Sequence, residues 1–191
     1  MLKPYFSSNN IEIGCDEVGR GCLSGPVVAA AVILPKNFKN KEIKDSKKLN
    51  EKLRNKLNLL IQNNALEYTY GIVENHEIDK INILNASFLA IHRALNKTQT
   101  NFNSILVDGN KFLKYKNIEH HCIIKGDNEY MSIASASIIA KVYRDKIMEK
   151  LHLEYPKYLW NKNKGYPTKH HKNQIKKIGV SKYHRISFNL Y

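Results

Sequence analysis

The chain has 191 residues, with 31 Lys and Arg against 17 Asp and Glu, a formal net charge of +14. At 42% hydrophobic and 25% charged it has enough apolar material for a sizeable core, which excludes a disordered chain and points to one domain spanning 1–191. Its longest apolar run, Val27 to Leu34, is eight residues and far short of a membrane span, and Met1 to Asn10 has no secretory-type apolar stretch.

Residues 11–15 read as a strand, and Val27 to Leu34 as a second one, buried on both faces because it does not alternate. Asn50 can cap a helix whose Leu53, Leu57, Leu60 and Ile61 fall on one stripe. Leu66 to Val73, rich in aromatic and β-branched residues, is a third strand. Ile78, Ile81, Leu84, Phe88, Ile91 and Leu95 recur at three- and four-residue steps and predict one long amphipathic helix. Two short apolar strands follow, Ile105 to Val107 and Cys122 to Ile124. Tyr130 to Leu151 then reads as a helix whose small residues, Ala134 to Ser137, let it lie close to a sheet. Strands joined by turns, then alternating helices and strands, give an α/β layered domain, with the strand order left open.

The charge is concentrated at the end of the chain. Glu154 is the last acid; Tyr155 to Tyr191 carries nine Lys and Arg, interleaved with Tyr155, Tyr158, Trp160, Tyr166 and Tyr183. Cations meet phosphates and aromatic faces meet bases or sugars, so this basic portion, about 155–191, suits a nucleic-acid track as well as a solvated surface.

Within this basic chain four acids sit where apolar strands end. Ile11 to Cys15 runs into Asp16-Glu17, Ile105 to Val107 into Asp108, and Cys122 to Gly126 into Asp127. Taken singly, Asp108-Gly109 reads as a turn and Asp127 as a helix cap. Together at one end of a sheet, four like charges repel. A pair of Mg²⁺ or Mn²⁺ ions, which prefer oxygen ligands, would relieve that repulsion and suit phosphodiester hydrolysis.

The motifs narrow this. Gly14-Cys15-Asp16-Glu17-Val18-Gly19-Arg20-Gly21 is followed by Ser24-Gly25-Pro26 and the apolar strand. Asp45-Ser46-Lys47-Lys48-Leu49, Val107-Asp108-Gly109, Lys125-Gly126-Asp127, Ser132 to Val142 with Arg144-Asp145, Lys164-Gly165-Tyr166-Pro167-Thr168 with His171, and His184-Arg185 with Ser187-Phe188 come in order after it. In these blocks, spanning nearly the whole chain, the sequence resembles ribonuclease HII.

The resemblance implies a ribonuclease H-like fold: a mixed five-stranded sheet flanked by helices, with a helical, basic C-terminal portion. It implies an endoribonuclease that hydrolyses the RNA strand of RNA/DNA hybrids. It also implies cutting on the 5′ side of ribonucleotides embedded in duplex DNA, leaving 3′-hydroxyl and 5′-phosphate ends. Asp16, Glu17, Asp108 and Asp127 fall on the family's carboxylates, which hold two Mn²⁺ or Mg²⁺ ions with substrate bound. Gly19, Arg20 and Gly21 fall on the stretch that reads the ribose, with Tyr166 packing on the sugar; Ser46, Lys47 and Ser132 are placed for phosphate contacts. About ten residues precede the first strand, too few for the extra N-terminal domain of ribonuclease HIII. Cys15, Cys22 and Ser24 depart from the family pattern, and Cys22 is expected to loosen the backbone after the ribose-reading loop.

His120-His121 and His170-His171 have no partner at zinc spacing. The three cysteines form no CxxC pair, which argues for reduced thiols in a cytoplasmic protein, with Cys15 oxidation-sensitive beside the acids. Phe188 to Tyr191 reads as a tail folded onto the body, with docking to a replication clamp as the alternative. Nothing in the sequence demands more than a monomer. A basic nucleic-acid binder without chemistry, and an enzyme of the same fold acting on DNA, are the competing readings.

Overall fold

The computed structural model describes all residues 1–191. Val27–Ile33 (β2) is buried at every position, as an unbroken apolar strand in the body of a sheet must be. It pairs antiparallel with Glu12–Val18 (β1) on one side and with Glu67–Val73 (β3) on the other. Beyond β1 the sheet continues in parallel through Ser104–Asp108 (β4) and Glu119–Ile123 (β5). The order is β3-β2-β1-β4-β5, the mixed five-stranded sheet expected.

Side-chain alternation divides the core. Val27, Ala29, Ala31 and Ile33 face one layer with Ile13, Cys15, Ile105 and Val107, while Ala30 and Val32 face the other. The first layer is closed by Asn75–Ile81 (α2) and Ile83–Lys97 (α3), the second by Glu51–Asn64 (α1) and Met131–Glu154 (α4). Asn50 caps α1 as predicted, its side chain accepting from the Leu53 amide at 2.9 Å. The small-residue half of α4 approaches closely: a Cβ on Gly14 of β1 would sit 2.4 Å from the Ser132 carbonyl carbon.

Three expectations change. The helix predicted through Ile78 to Leu95 is two helices. Asn82 adopts φ 65° between them and caps the second, accepting from the amides of Leu84 and Asn85 at 3.0 and 3.1 Å. Asparagine tolerates positive φ and satisfies free helix amides, so the apolar rhythm survives a break in the backbone. β5 lies three residues earlier at its start than the apolar run Cys122 to Ile124, with His121 stacked on Phe6 at 4.3 Å. β1 does not stop at Cys15; it runs on through both acids to Val18.

Past Glu154 the chain forms short turns, Trp160–Asn163 (α5) and Lys169–Ile178 (α6). These pack with α4 around Leu23, Met148, Tyr158, Trp160, Ile175 and Leu190. Leu190 is 6% exposed, so the C-terminal tail is folded onto the body. No helix is long and apolar enough to cross a membrane.

Candidate active site

Register brings the acids together. Cys15 of β1 pairs with Val107 of β4, so the next residues, Asp16 and Asp108, lie side by side on adjacent parallel strands. Asp127 comes from the single helical turn Gly126–Asn128 between β5 and α4, and the Gly126 amide donates to Asp108 Oδ1 at 2.7 Å. Because Asp16 and Glu17 are consecutive within a strand, they alternate faces. Asp16 turns toward α4 and lies against Ser137, its Oδ1 accepting from the Glu17 amide at 2.7 Å; Glu17 lines a small cleft on the α3 side with Arg20, Ser87, Phe88 and Asp108. Asp108 also borders the larger cleft, about 560 Å³, with Asp45, Lys47, Lys48, Lys125, Asp127 and Asn128. It is thus the hinge between the two.

The electrostatics follow. Burial holds the Asp16 carboxyl well above its ordinary value, and the charges of Glu17, Asp108 and Asp127 push the same way against the Ser137 hydrogen bond. Glu17 is raised by burial and by Asp108, opposed by Arg20 at 3.3 Å. Asp127 is raised by burial, then by Asp108 and Asp45. No three His, Cys, Asp or Glu side chains are close enough here to hold one ion. The four acids are neighbours, with Asp16 and Glu17 held apart by the strand's alternation.

The donor set still fits a hard divalent cation. It consists only of carboxylate oxygens, and their mutual repulsion is incompletely relieved within the protein. Asp108 and Asp127 each engage one oxygen, with the Gly126 amide and with Asn128 Nδ2 at 2.7 Å, and leave the other free.

The remaining predicted residues divide. Gly19 has φ 98°, and a Cβ there would strike Arg144 Nε at 2.2 Å, so only glycine fits. Arg20 is exposed beside Glu17, and Gly21 faces open space. Tyr166 is half-exposed; the Leu23 amide donates to Gly165 O at 2.8 Å, tying its loop to the segment after Gly21. Lys47 lines the larger cleft. Ser46 is buried, its hydroxyl 2.9 Å from that of Ser137, so it touches the site through Ser137.

Ser132 is not brought to the acids. It is buried against Gly14 and lines a separate cavity with Glu12, Tyr5 and Lys36, one helical stretch before Ser137 on α4. Cys15 is likewise corrected: it faces the apolar layer of α3, fully buried, and burial pushes its thiol up and away from the reactive thiolate. Cys22 is buried and its thiol donates to Lys164 O at 3.6 Å, so the segment after Gly21 is tied to the loop of Tyr166 where a loosened backbone was expected.

Sequence reasoning assigned no role to Ser137, Arg144, Arg185 or the buried pair His171 and His184. Arg144 donates to the carbonyls of Pro26, Lys164 and Ser24 at 2.9, 2.7 and 3.1 Å. Arg185 donates twice to Gly25 O and once to Arg20 O. The one signal in the sequence was phase: Arg144 falls four residues after Ala140 and four before Met148, on the buried face of α4.

Comparison with known proteins gives the same picture. The family profile described as Ribonuclease HII matches residues 13–191. A ribonuclease HII of Bacteroides thetaiotaomicron is 56% identical over 190 residues, covering all of this chain and 95% of its own. One of Christiangramia forsetii is 58% identical over 186 residues, 97% of this chain and 94% of its own. Among solved structures, ribonuclease H2 from Pyrococcus horikoshii OT3 superposes with a TM-score of 0.77 and 27% identity over 94% of both chains.

Proposed function

Since the chain belongs to the ribonuclease HII family, we propose that this endoribonuclease, acting on RNA/DNA hybrids, also cuts on the 5′ side of single ribonucleotides embedded in duplex DNA. It leaves 3′-hydroxyl and 5′-phosphate ends, works in the cytoplasm as a monomer, and uses residues 1–191 as one catalytic unit. The observation that carries the reading is the junction of β1 and β4, where Asp108 lies beside Asp16 and borders the clefts of Glu17 and Asp127.

Asp16, Glu17, Asp108 and Asp127 would hold divalent cations, Mn²⁺ or Mg²⁺. When bound, two such ions supply activation of water and neutralisation of the leaving 3′-oxygen. The chain's own residues do the rest. Ser137, backed by Ser46, fixes Asp16; the Gly126 amide and Asn128 orient Asp108 and Asp127. Lys47, Lys48 and Lys125 attract backbone phosphates into the larger cleft, and the basic portion 155–191 extends that track. The Gly19–Gly21 turn contacts the ribose, and Tyr166 packs on the sugar.

The test is a labelled DNA duplex with one ribonucleotide, incubated with Mn²⁺ or with chelator. The wild type cuts it only with the metal, and leaves an all-DNA duplex intact. Asp108→Asn binds a hybrid nearly as well but cuts about a thousandfold more slowly, the loss of several kcal/mol of transition-state charge stabilisation. Near-normal cutting by that variant refutes the assignment.

A further inference from the structure

Arg144 and Arg185 are both 0% exposed, and neither forms a salt bridge. Burying a cation without a carboxylate is costly, and here every bond goes to a backbone carbonyl. Arg185 spans two: Nε and Nη2 donate to Gly25 O at 3.0 and 2.9 Å, and Nη1 to Arg20 O at 3.0 Å. Burial lowers it to about 10, with Arg144 pushing the same way, so it is a cation at neutral pH.

The second carbonyl decides the direction of a peptide. In a trans peptide the C=O and N–H point opposite ways. With Arg20 O drawn inward to Arg185, the N–H of the same peptide, that of Gly21, points away from the core. It has no acceptor within the protein, and Gly21 is exposed with nothing within 4 Å of where a Cβ would stand. The turn is closed from the far side, Cys22 N donating to Gly19 O at 3.3 Å. The amides of Gly19 and Arg20 also have no acceptor within the protein, but that of Gly21 alone belongs to the peptide whose carbonyl Arg185 holds, and it is open on its side-chain side.

We infer that Arg185 is a positioning residue for ribose recognition: by holding the Arg20 carbonyl inward, it presents the Gly21 amide to the oxygen of the 2′-hydroxyl. The inference rests on the Gly19–Gly21 turn being the ribose contact. A 2′-hydroxyl accepts this hydrogen bond; a deoxyribose offers no acceptor and leaves the amide unpaired. Without the fork of Arg185, the peptide is free to rotate and turn its carbonyl to the substrate. Lysine keeps the charge but cannot span both carbonyls.

The experiment measures binding in chelator, by competition, of a duplex with one ribonucleotide against the same duplex all in DNA. The wild type prefers the former. Arg185→Lys binds the all-DNA duplex within about twofold of wild type but loses most of that preference, about fivefold, the worth of one hydrogen bond. A folded Arg185→Lys with wild-type preference overturns the inference. Because this arginine is buried, a second measurement uses the wild type labelled with ¹⁵N-glycine, the Gly21 signal being assigned by its loss in Gly21→Ala. That signal moves on adding the metal-free ribonucleotide duplex and moves less with all-DNA; equal movement overturns the inference whether or not Arg185→Lys folds. A wild type with no preference between the duplexes refutes the ribose reading itself. That outcome differs from one in which wild type and Arg185→Lys discriminate alike.

Discussion

His184 should make the protein acid-sensitive in a window set by its own burial. Its Nδ1 faces the Ser181 amide at 2.9 Å, and an amide can only donate, so Nδ1 accepts and Nε2 carries the hydrogen. Nε2 points at His171 Nε2 at 3.1 Å, which also accepts from Trp160 Nε1 at 3.1 Å. The His171 hydrogen is therefore on Nδ1, donated to Tyr166 O at 2.9 Å. Every polar hydrogen of the pair has an acceptor, and an added proton has none. Burial first, and the neighbouring His171 second, lower His184 from 6.5 to about 4.

The unfolded chain thus takes up a proton as pH falls through 6.5, while the folded one does not until about 4. Stability is fully present above 6.5 and is lost progressively down to about 4, by about 3 kcal/mol at 1.36 kcal/mol per unit. The raised carboxyls Asp16, Glu17 and Asp127 act with the opposite sign, favouring the folded state as they gain protons on acidification. The whole-protein profile therefore hides the histidine, and the measurement must be a difference. His184→Gln keeps a donor toward His171 but gives up the Ser181 contact, costing about 1–3 kcal/mol at pH 7.5. Urea unfolding of both proteins in chelator, at pH 7.5 and 4.5, should show the wild-type advantage shrinking by about 2.5 kcal/mol. An advantage that is the same at both pH values refutes the tautomer chain.

Two other outcomes test the packing. Gly71→Ala on β3 would put a Cβ 1.8 Å from the Ala90 carbonyl oxygen of α3; the clash is with backbone, and the variant should lose about 3 kcal/mol or fail to fold. A thermal midpoint within two or three degrees of wild type, roughly the range of a surface substitution, would mean that α3 and the sheet separate easily. Deleting Asn189 to Tyr191 removes Leu190 from the cluster of Tyr158, Trp160 and Ile175, and should cost about 2–3 kcal/mol. An unchanged midpoint would leave the tail free for a docking role.

What could be read in the sequence was whatever repeats or punctuates. The apolar run of β2, the Asn50 cap and the stripes of α1 and α3 are local patterns, and the structure contains all of them. The motif blocks singled out four acids, which the strand register of β1 and β4 and the turn before α4 make neighbours. The misreadings occur where tertiary context overrides the pattern. Asp16 and Glu17 look like a strand's end because acids rarely sit inside one, yet their pairing with Ala30 and Ala29 continues β1 to Val18. That continuation decides the chemistry, since two consecutive strand residues serve opposite faces, so Asp16 and Glu17 approach Asp108 from two sides.

Ser132 and Ser137 are set apart by position along a helix. Both belong to one small-residue run near the start of α4, and a helix N-terminus suggests the earlier serine as the anion contact. α4 runs alongside β1, so that Ser132 meets Gly14 and Ser137 meets Asp16. Five residues along a helix are about 7.5 Å of rise, enough to carry a hydroxyl from one cavity to another. The buried arginines were the hardest to see, because nothing in a sequence marks a cation whose partners are carbonyls. Arg144 clamps Ser24 to Pro26 against Lys164, more than a hundred residues away, and Arg185, from the far end of the chain, holds Gly25 and the Arg20 turn. The Gly19–Gly21 turn owes its conformation to that clamp as much as to the flexibility of its glycines: Gly19 is required because Arg144 occupies the space of its missing side chain.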